Sequence, residues 1–137
     1  MTAVLICTHG NTGAEMIKSA EMICGEQDNC DAVPFLMGQS LDELRTTLKN
    51  TVEQYKTDEA VICLTDLKGG TPFNTLVALS ESHANMTVIT GVNIPMLLQL
   101  LVYRNQLSED ELIDDIITTG KEGIFKFEVT DVEDDDF

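Results

Sequence analysis

Two short apolar runs constrain the fold of this chain more than any other feature. Ala3-Val4-Leu5-Ile6-Cys7-Thr8 and Ala60-Val61-Ile62-Cys63-Leu64-Thr65 are hydrophobic at nearly every position. A strand with one wet face alternates apolar with polar residues, whereas a strand buried on both faces reads apolar throughout. Each run is followed within a few residues by glycine and a helix-start signal. Strands of this kind separated by helices require a mainly parallel sheet, with right-handed crossovers placing helices on both faces.

The rest of the sequence fits that alternation. Thr12-Gly13-Ala14-Glu15 has the form of a capping box, apolar Met16, Ile17, Ala20 and Ile23 follow at helical spacing, and Gly25 closes the helix. Ala32 to Met37 reads as a second strand, which Pro34 assigns to a sheet edge. Ser40-Leu41-Asp42-Glu43 opens a helix running to about Tyr55. The second apolar run ends at Asp66, Leu67 to Gly70 reads as a loop and Thr71 as the cap of a helix that begins with Pro72. Met86 to Thr90 reads as a strand, with a helix from near Pro95 and another from Ser108 to about Gly120. Ile124 to Val129 alternates like an exposed antiparallel edge strand, and Asp131 to Phe137 is an acidic tail with the composition of a frayed end. The expected fold is a three-layer α/β domain over residues 1–130, with strand order 2-1-3-4.

That order sets strand 1 beside strand 3, and the topological switch point falls between their carboxyl ends. His9 follows strand 1 and Asp66 follows strand 3, so two residues distant in sequence form one candidate site. A carboxylate that accepts from one ring nitrogen fixes the histidine tautomer and leaves the other nitrogen free to attack. This is what a phosphoryl-accepting imidazole requires. Helices starting after Gly10 and at Thr71 turn free N–H groups toward the same crevice. Gly69 and Gly70 permit close backbone approach to an anion, and the Thr71 hydroxyl adds a donor. The second histidine, His83 in Ser82-His83-Ala84-Asn85, reads as an exposed loop residue.

Composition excludes several classes. Twenty-four acidic against eight basic residues give a formal net charge of −16, which opposes binding to nucleic acid or to an anionic membrane. No apolar stretch is long enough to span a bilayer, and no basic segment precedes the first apolar run as a signal peptide would need. Cysteines 7, 24, 30 and 63 match neither a zinc pattern nor a Cys-x-x-Cys motif. They read as free thiols in a reducing, cytoplasmic protein. No metal or cofactor is expected.

Taken together, several motifs are specific. Thr8-His9-Gly10, Ala20-Glu21-Met22 with Gly25-Glu26-Gln27, Asp66-Leu67-Lys68-Gly69-Gly70-Thr71-Pro72-Phe73-Asn74 and Gly91-Val92-Asn93-Ile94-Pro95-Met96-Leu97 resemble the IIA component of the mannose-class sugar phosphotransferase system. The similarity runs from about residue 2 to residue 127. It implies that His9 accepts a phosphoryl group from the phosphocarrier HPr on Nε2 and donates it to a IIB component. It also implies that Asp66 holds the other ring nitrogen and that Gly10, Gly69, Gly70 and Thr71 surround the phosphoryl group. Members are usually homodimers in which a C-terminal strand, here Ile124 to Val129, crosses to the partner. The membrane is reached only indirectly, through a IIC/IID transporter. Asn11-Thr12-Gly13 replaces larger, more apolar residues of some relatives, and Thr71 replaces a serine. No IIB domain follows on this chain, so IIB is expected as a separate protein.

Three other readings compete. A flavodoxin-like flavin protein would want aromatic residues in the loops after strands, where this chain has none of its tyrosines. A response-regulator receiver phosphorylated on Asp66 would want acidic metal ligands after strand 1, where the chain has Thr8-His9-Gly10. A phosphorylation-dependent regulatory module without a transport role would use the same His9 chemistry.

Overall fold

A computed structural model describes residues 1–129 of the chain. The elements follow in the order β1 (Ala3–His9), α1 (Thr12–Cys24), β2 (Cys30–Phe35), α2 (Leu41–Gln54), β3 (Val61–Thr65), α3 (Thr71–Ser80), β4 (Met86–Thr90), α4 (Ile94–Tyr103) and α5 (Glu109–Glu122). The strands make one parallel sheet in the order β2-β1-β3-β4, as the sequence leads one to expect.

The two apolar runs read as they do because alternate residues enter different cores. Ala3, Leu5 and Cys7 pack with Val61 and Cys63 beneath Leu44 and Leu48 of α2 and Leu76 of α3. Val4 and Ile6 pack with Ile62 and Leu64 beneath Ile17 of α1, Leu97 and Leu100 of α4, and Leu112 and Ile116 of α5. Neither face of β1 or β3 meets water, so no position favours a polar residue. Each fully buried Leu or Ile stabilises the fold by about 1.5–3 kcal/mol relative to exposure.

Several local features differ from the sequence reading. The strand β2 begins at Cys30, not Ala32, because Val4 of β1 pairs with Cys30. Its early polar residue, Asp31, accepts a 2.6 Å hydrogen bond from the Tyr55 hydroxyl, so polarity there does not end the strand. Pro34 is tolerated because β2 is an edge strand. Ser40, Asn93 and Ser108 cap their helices through the amides of Glu43, Met96 and Glu111. Thr12 does not cap α1. Asn11 stands at that position, and the Gly13 amide instead donates to the Thr8 hydroxyl at 2.9 Å. Likewise Gly70 is the N-cap of α3, and Thr71 is its first helical residue.

The segment Ile124 to Val129 forms no ladder with the chain's own sheet. Ile124, Phe125, Phe127 and Val129 are largely exposed, and the outer edge of β4 has no strand beside it among the described residues. An edge strand leaves a row of backbone groups unpaired, and none of the described residues covers that row on β4. The acidic stretch Asp131 to Phe137 lies outside the described residues. His83 is not the exposed loop residue expected: its Nε2 lies 3.3 Å from Glu53, its Nδ1 faces the Leu79 carbonyl at 3.1 Å, and it is half-buried.

Candidate functional site

Cys7 of β1 lies opposite Thr65 of β3, so His9 and Asp66 leave the sheet side by side at its carboxyl edge. The imidazole Nδ1 is 3.0 Å from Asp66 Oδ2, and the His9 backbone amide donates to the same oxygen at 3.1 Å. An ionised carboxylate can only accept, so Nδ1 carries the proton and Nε2 presents its lone pair. The His9 side chain is 47% exposed and that of Asp66 28%: the ring faces solvent while its anchor is partly covered. Asp66 Oδ1 is buried with no hydrogen-bond partner among the described residues. A stability-optimised strand end would not leave a carboxylate oxygen unsatisfied, and the cost is consistent with a residue held for its chemistry.

The walls of the site come from neighbouring loops. Phe35 is the strand partner of His9 and meets its ring edge-on, with centroids 6.1 Å apart. The Gly10 amide donates to the Phe35 carbonyl at 2.9 Å while Gly10 holds φ +62°, a left-handed conformation that suits glycine. The β3–α3 loop closes the other side. Its Gly70 amide donates to the Leu67 carbonyl at 3.1 Å, forming a turn in which Gly69 has φ +81°. Asn74 of α3 braces the turn by donating to the Gly69 carbonyl at 3.0 Å. Gly70 has an ordinary φ of −74°, so its backbone does not demand glycine. The imidazole does: a Cβ at Gly70 would sit 2.9 Å from His9 Cε1 and 3.6 Å from Nε2.

The structure therefore brings together His9, Asp66, Gly10, Gly69 and Gly70. Thr71 is nearby in sequence but lines a cleft of about 360 Å³ with Leu41, Arg45, Asn74 and Ala78. Its hydroxyl has no hydrogen bond among the described residues, which follows from its place inside the helix rather than at the cap. The amides of Gly69, Thr71 and Phe73 are likewise without a partner among the described residues, as expected at a helix start. Phe35 and Asn74 were not visible as site residues from spacing; the signal for Phe35 is register, since β2 pairs with β1 up to His9. Below the site, the Cys7 thiol is pushed up to about 12, first by burial and then by Asp66, so it is protonated and unreactive at neutral pH. Among the described residues no three of His, Cys, Asp and Glu converge so as to hold a metal ion, and no helix is long and apolar enough to cross a membrane.

Comparison with known proteins identifies the family. The EIIA-man family model, described as the PTS system fructose IIA component, matches residues 3–117. The chain belongs to the EIIA-man family. It is 31% identical over 116 residues to the fructose-specific EIIA component of Bacillus subtilis, spanning 85% of this chain and 80% of that protein. Over 132 residues it is 35% identical to the mannose-specific EIIAB component of Escherichia coli K12, covering 96% of this chain but 41% of that longer protein. A solved EIIA from Streptococcus agalactiae superposes with a TM-score of 0.84 at 34% identity, covering 92% and 97% of the two chains. The EIIA-man match takes in the whole sheet and every loop of the site, and ends within α5, before Ile124 to Val129.

Proposed function

We propose that this EIIA-man chain is a phosphohistidine carrier in which His9 Nε2 accepts a phosphoryl group from HPr and passes it to a IIB component. The observation that carries this reading is the shared carboxylate oxygen: Asp66 Oδ2 takes both the Nδ1 proton and the His9 backbone amide. The tautomer and the ring plane are thereby set with Nε2 outward. As the phosphorus–nitrogen bond to the donor breaks, the donor nitrogen keeps the electron pair and Nε2 forms the new bond. The Nδ1 proton remains on the Asp66 bond, so positive charge developing on the ring is met by a carboxylate. Gly10, Gly69 and Gly70 surround the incoming group, and free amides at the start of α3 supply donors to its oxygens. Sugar never contacts this component, which acts in the cytoplasm and reaches the IIC/IID transporter only through IIB. Residues 1–130 act as one domain. Two copies pair, each laying Ile124 to Val129 along the open edge of the other's β4, which covers four exposed apolar side chains.

Intact-mass measurement after incubation with phosphoenolpyruvate, enzyme I and HPr tests the carrier reading. A single acid-labile phosphoryl adduct on the wild type and none on His9→Ala is expected. An adduct of equal yield on His9→Ala would overturn it.

A further inference from the structure

The loops that follow the four strands, residues 10–11, 36–40, 66–70 and 91–93, carry only two charged side chains, Asp66 and Lys68. Asp66 is committed to the imidazole. Lys68 is exposed, and its ammonium enters no ion pair or hydrogen bond among the described residues. It occupies the second position of the Leu67–Gly70 turn, two residues from the glycine that abuts the His9 ring. Consecutive Cα atoms are 3.8 Å apart, so its Cα lies within about 7.6 Å of the Gly70 Cα, a gap its four-carbon stem can bridge.

We infer that Lys68 is a further catalytic residue, whose ammonium holds a non-bridging oxygen of the phosphoryl group on His9; this rests on the carrier reading above. A phosphoryl group brings close to two negative charges onto a ring already paired with a carboxylate, in a chain of net charge −16. Neutral amides at the helix start offset part of that charge, and the only cation in the surrounding loops is Lys68. Its proton stays on Nζ throughout: the ammonium neither gives nor takes a proton, and only the phosphorus–nitrogen bonds change.

The test needs no partner protein. Potassium phosphoramidate, a small-molecule donor that releases ammonia, is used to load wild type, His9→Ala, Lys68→Gln and Lys68→Arg. An amine-selective acetylating reagent then reads each lysine by mass spectrometry at mildly alkaline pH, where phosphohistidine survives. A neighbouring phosphoryl group raises the amine's affinity for its proton by about half to one pH unit at an exposed site. Acetylation of Lys68 should therefore slow about 3- to 10-fold on phosphorylation, while Lys49 and Lys56 react unchanged. Uptake should be several-fold slower in Lys68→Gln and restored in Lys68→Arg. Unchanged Lys68 acetylation in protein phosphorylated on His9 would overturn this inference alone. An adduct that persists in His9→Ala would overturn the carrier reading, and this inference with it.

Discussion

Gly70→Ala isolates the geometric demand of the site from its chemistry. The added methyl would lie 2.9 Å from His9 Cε1 and 3.2 Å from the Leu67 carbonyl, whereas unstrained contacts of this kind begin near 3.4 Å. Either the ring or the turn must give by about half an ångström. The turn is held by the Gly70-to-Leu67 bond and by Asn74, so the freer element is the exposed imidazole. Moving it lengthens or misaligns the 3.0 Å bond to Asp66 and turns Nε2 away from the line of attack. Displacements of this order cost about 10- to 100-fold in rate for in-line chemistry. The fold should lose no more than about 1 kcal/mol, since φ at Gly70 is already ordinary and only a cap preference is lost. The assay is the initial rate of acid-labile phosphoryl uptake from phospho-HPr, read by intact mass, alongside a urea midpoint. Gly69→Ala is the control: it meets no atom within 4 Å but must adopt φ +81°, so it should lose stability without a comparable loss of rate. Wild-type uptake by Gly70→Ala, with unchanged imidazole resonances, would refute the claim that this glycine exists to admit the ring.

Other consequences follow from the same structure. Asp66→Asn keeps the side-chain shape, and its amide oxygen still accepts from the His9 amide and Nδ1, but the negative charge that meets the positive charge developing on the ring is lost; phosphoryl uptake should fall by about 100-fold or more with an unchanged circular dichroism spectrum. Burial pushes the Cys7 and Cys63 thiols up to about 12 from an ordinary value of 9.0. Below pH 9 both folded and unfolded chains keep these protons; above it the unfolded chain releases them first, so stability falls as pH rises, by up to about 1.4 kcal/mol per unit for each thiol. Urea midpoints between pH 8 and 10.5 should therefore drop less steeply in a Cys7→Ala/Cys63→Ala variant, and an unchanged slope would contradict the assignment. Arg104 is buried and donates to the carbonyls of Thr2, Asp28 and Asn29 and to the Gln27 side chain, so Arg104→Met should cost about 2–4 kcal/mol by removing these charge-assisted bonds, measured by chemical denaturation with phosphoryl uptake retained in the folded fraction.

The pairing of His9 with Asp66 is legible in the sequence because both residues hang on the strongest signals available. Doubly buried strands cannot be confused with half-wet ones, and their carboxyl ends name His9 and Asp66 directly. What stayed hidden depends on pairing rather than pattern. Phe35 reaches His9 only because β2 pairs with β1 from Val4 to His9, and Asp31 and Cys30 disguised where that strand begins. The caps expected at Thr12 and Thr71 fall one residue earlier, at Asn11 and Gly70, because spacing does not say which hydroxyl reaches a free amide first: Thr8, on the strand, reaches Gly13, and a glycine takes the cap of α3. Arg104 gave no signal, since its acceptors are main-chain carbonyls distant in sequence. His83 read as exposed for the same reason, its partner Glu53 lying thirty positions away on α2. The segment Ile124 to Val129 alternates as a strand should, yet pattern alone supplies no neighbour.

The most direct test of the account is the state of the His9 ring nitrogens, observed by long-range proton–nitrogen correlation in protein labelled with nitrogen-15 histidine, before and after phosphorylation. The account predicts a protonated Nδ1 and an unprotonated Nε2 in the free protein, with phosphorus-31 coupling to Nε2 after transfer. Phosphorus coupled to Nδ1, or a phosphorylated protein in which neither His9 nitrogen changes, would contradict it.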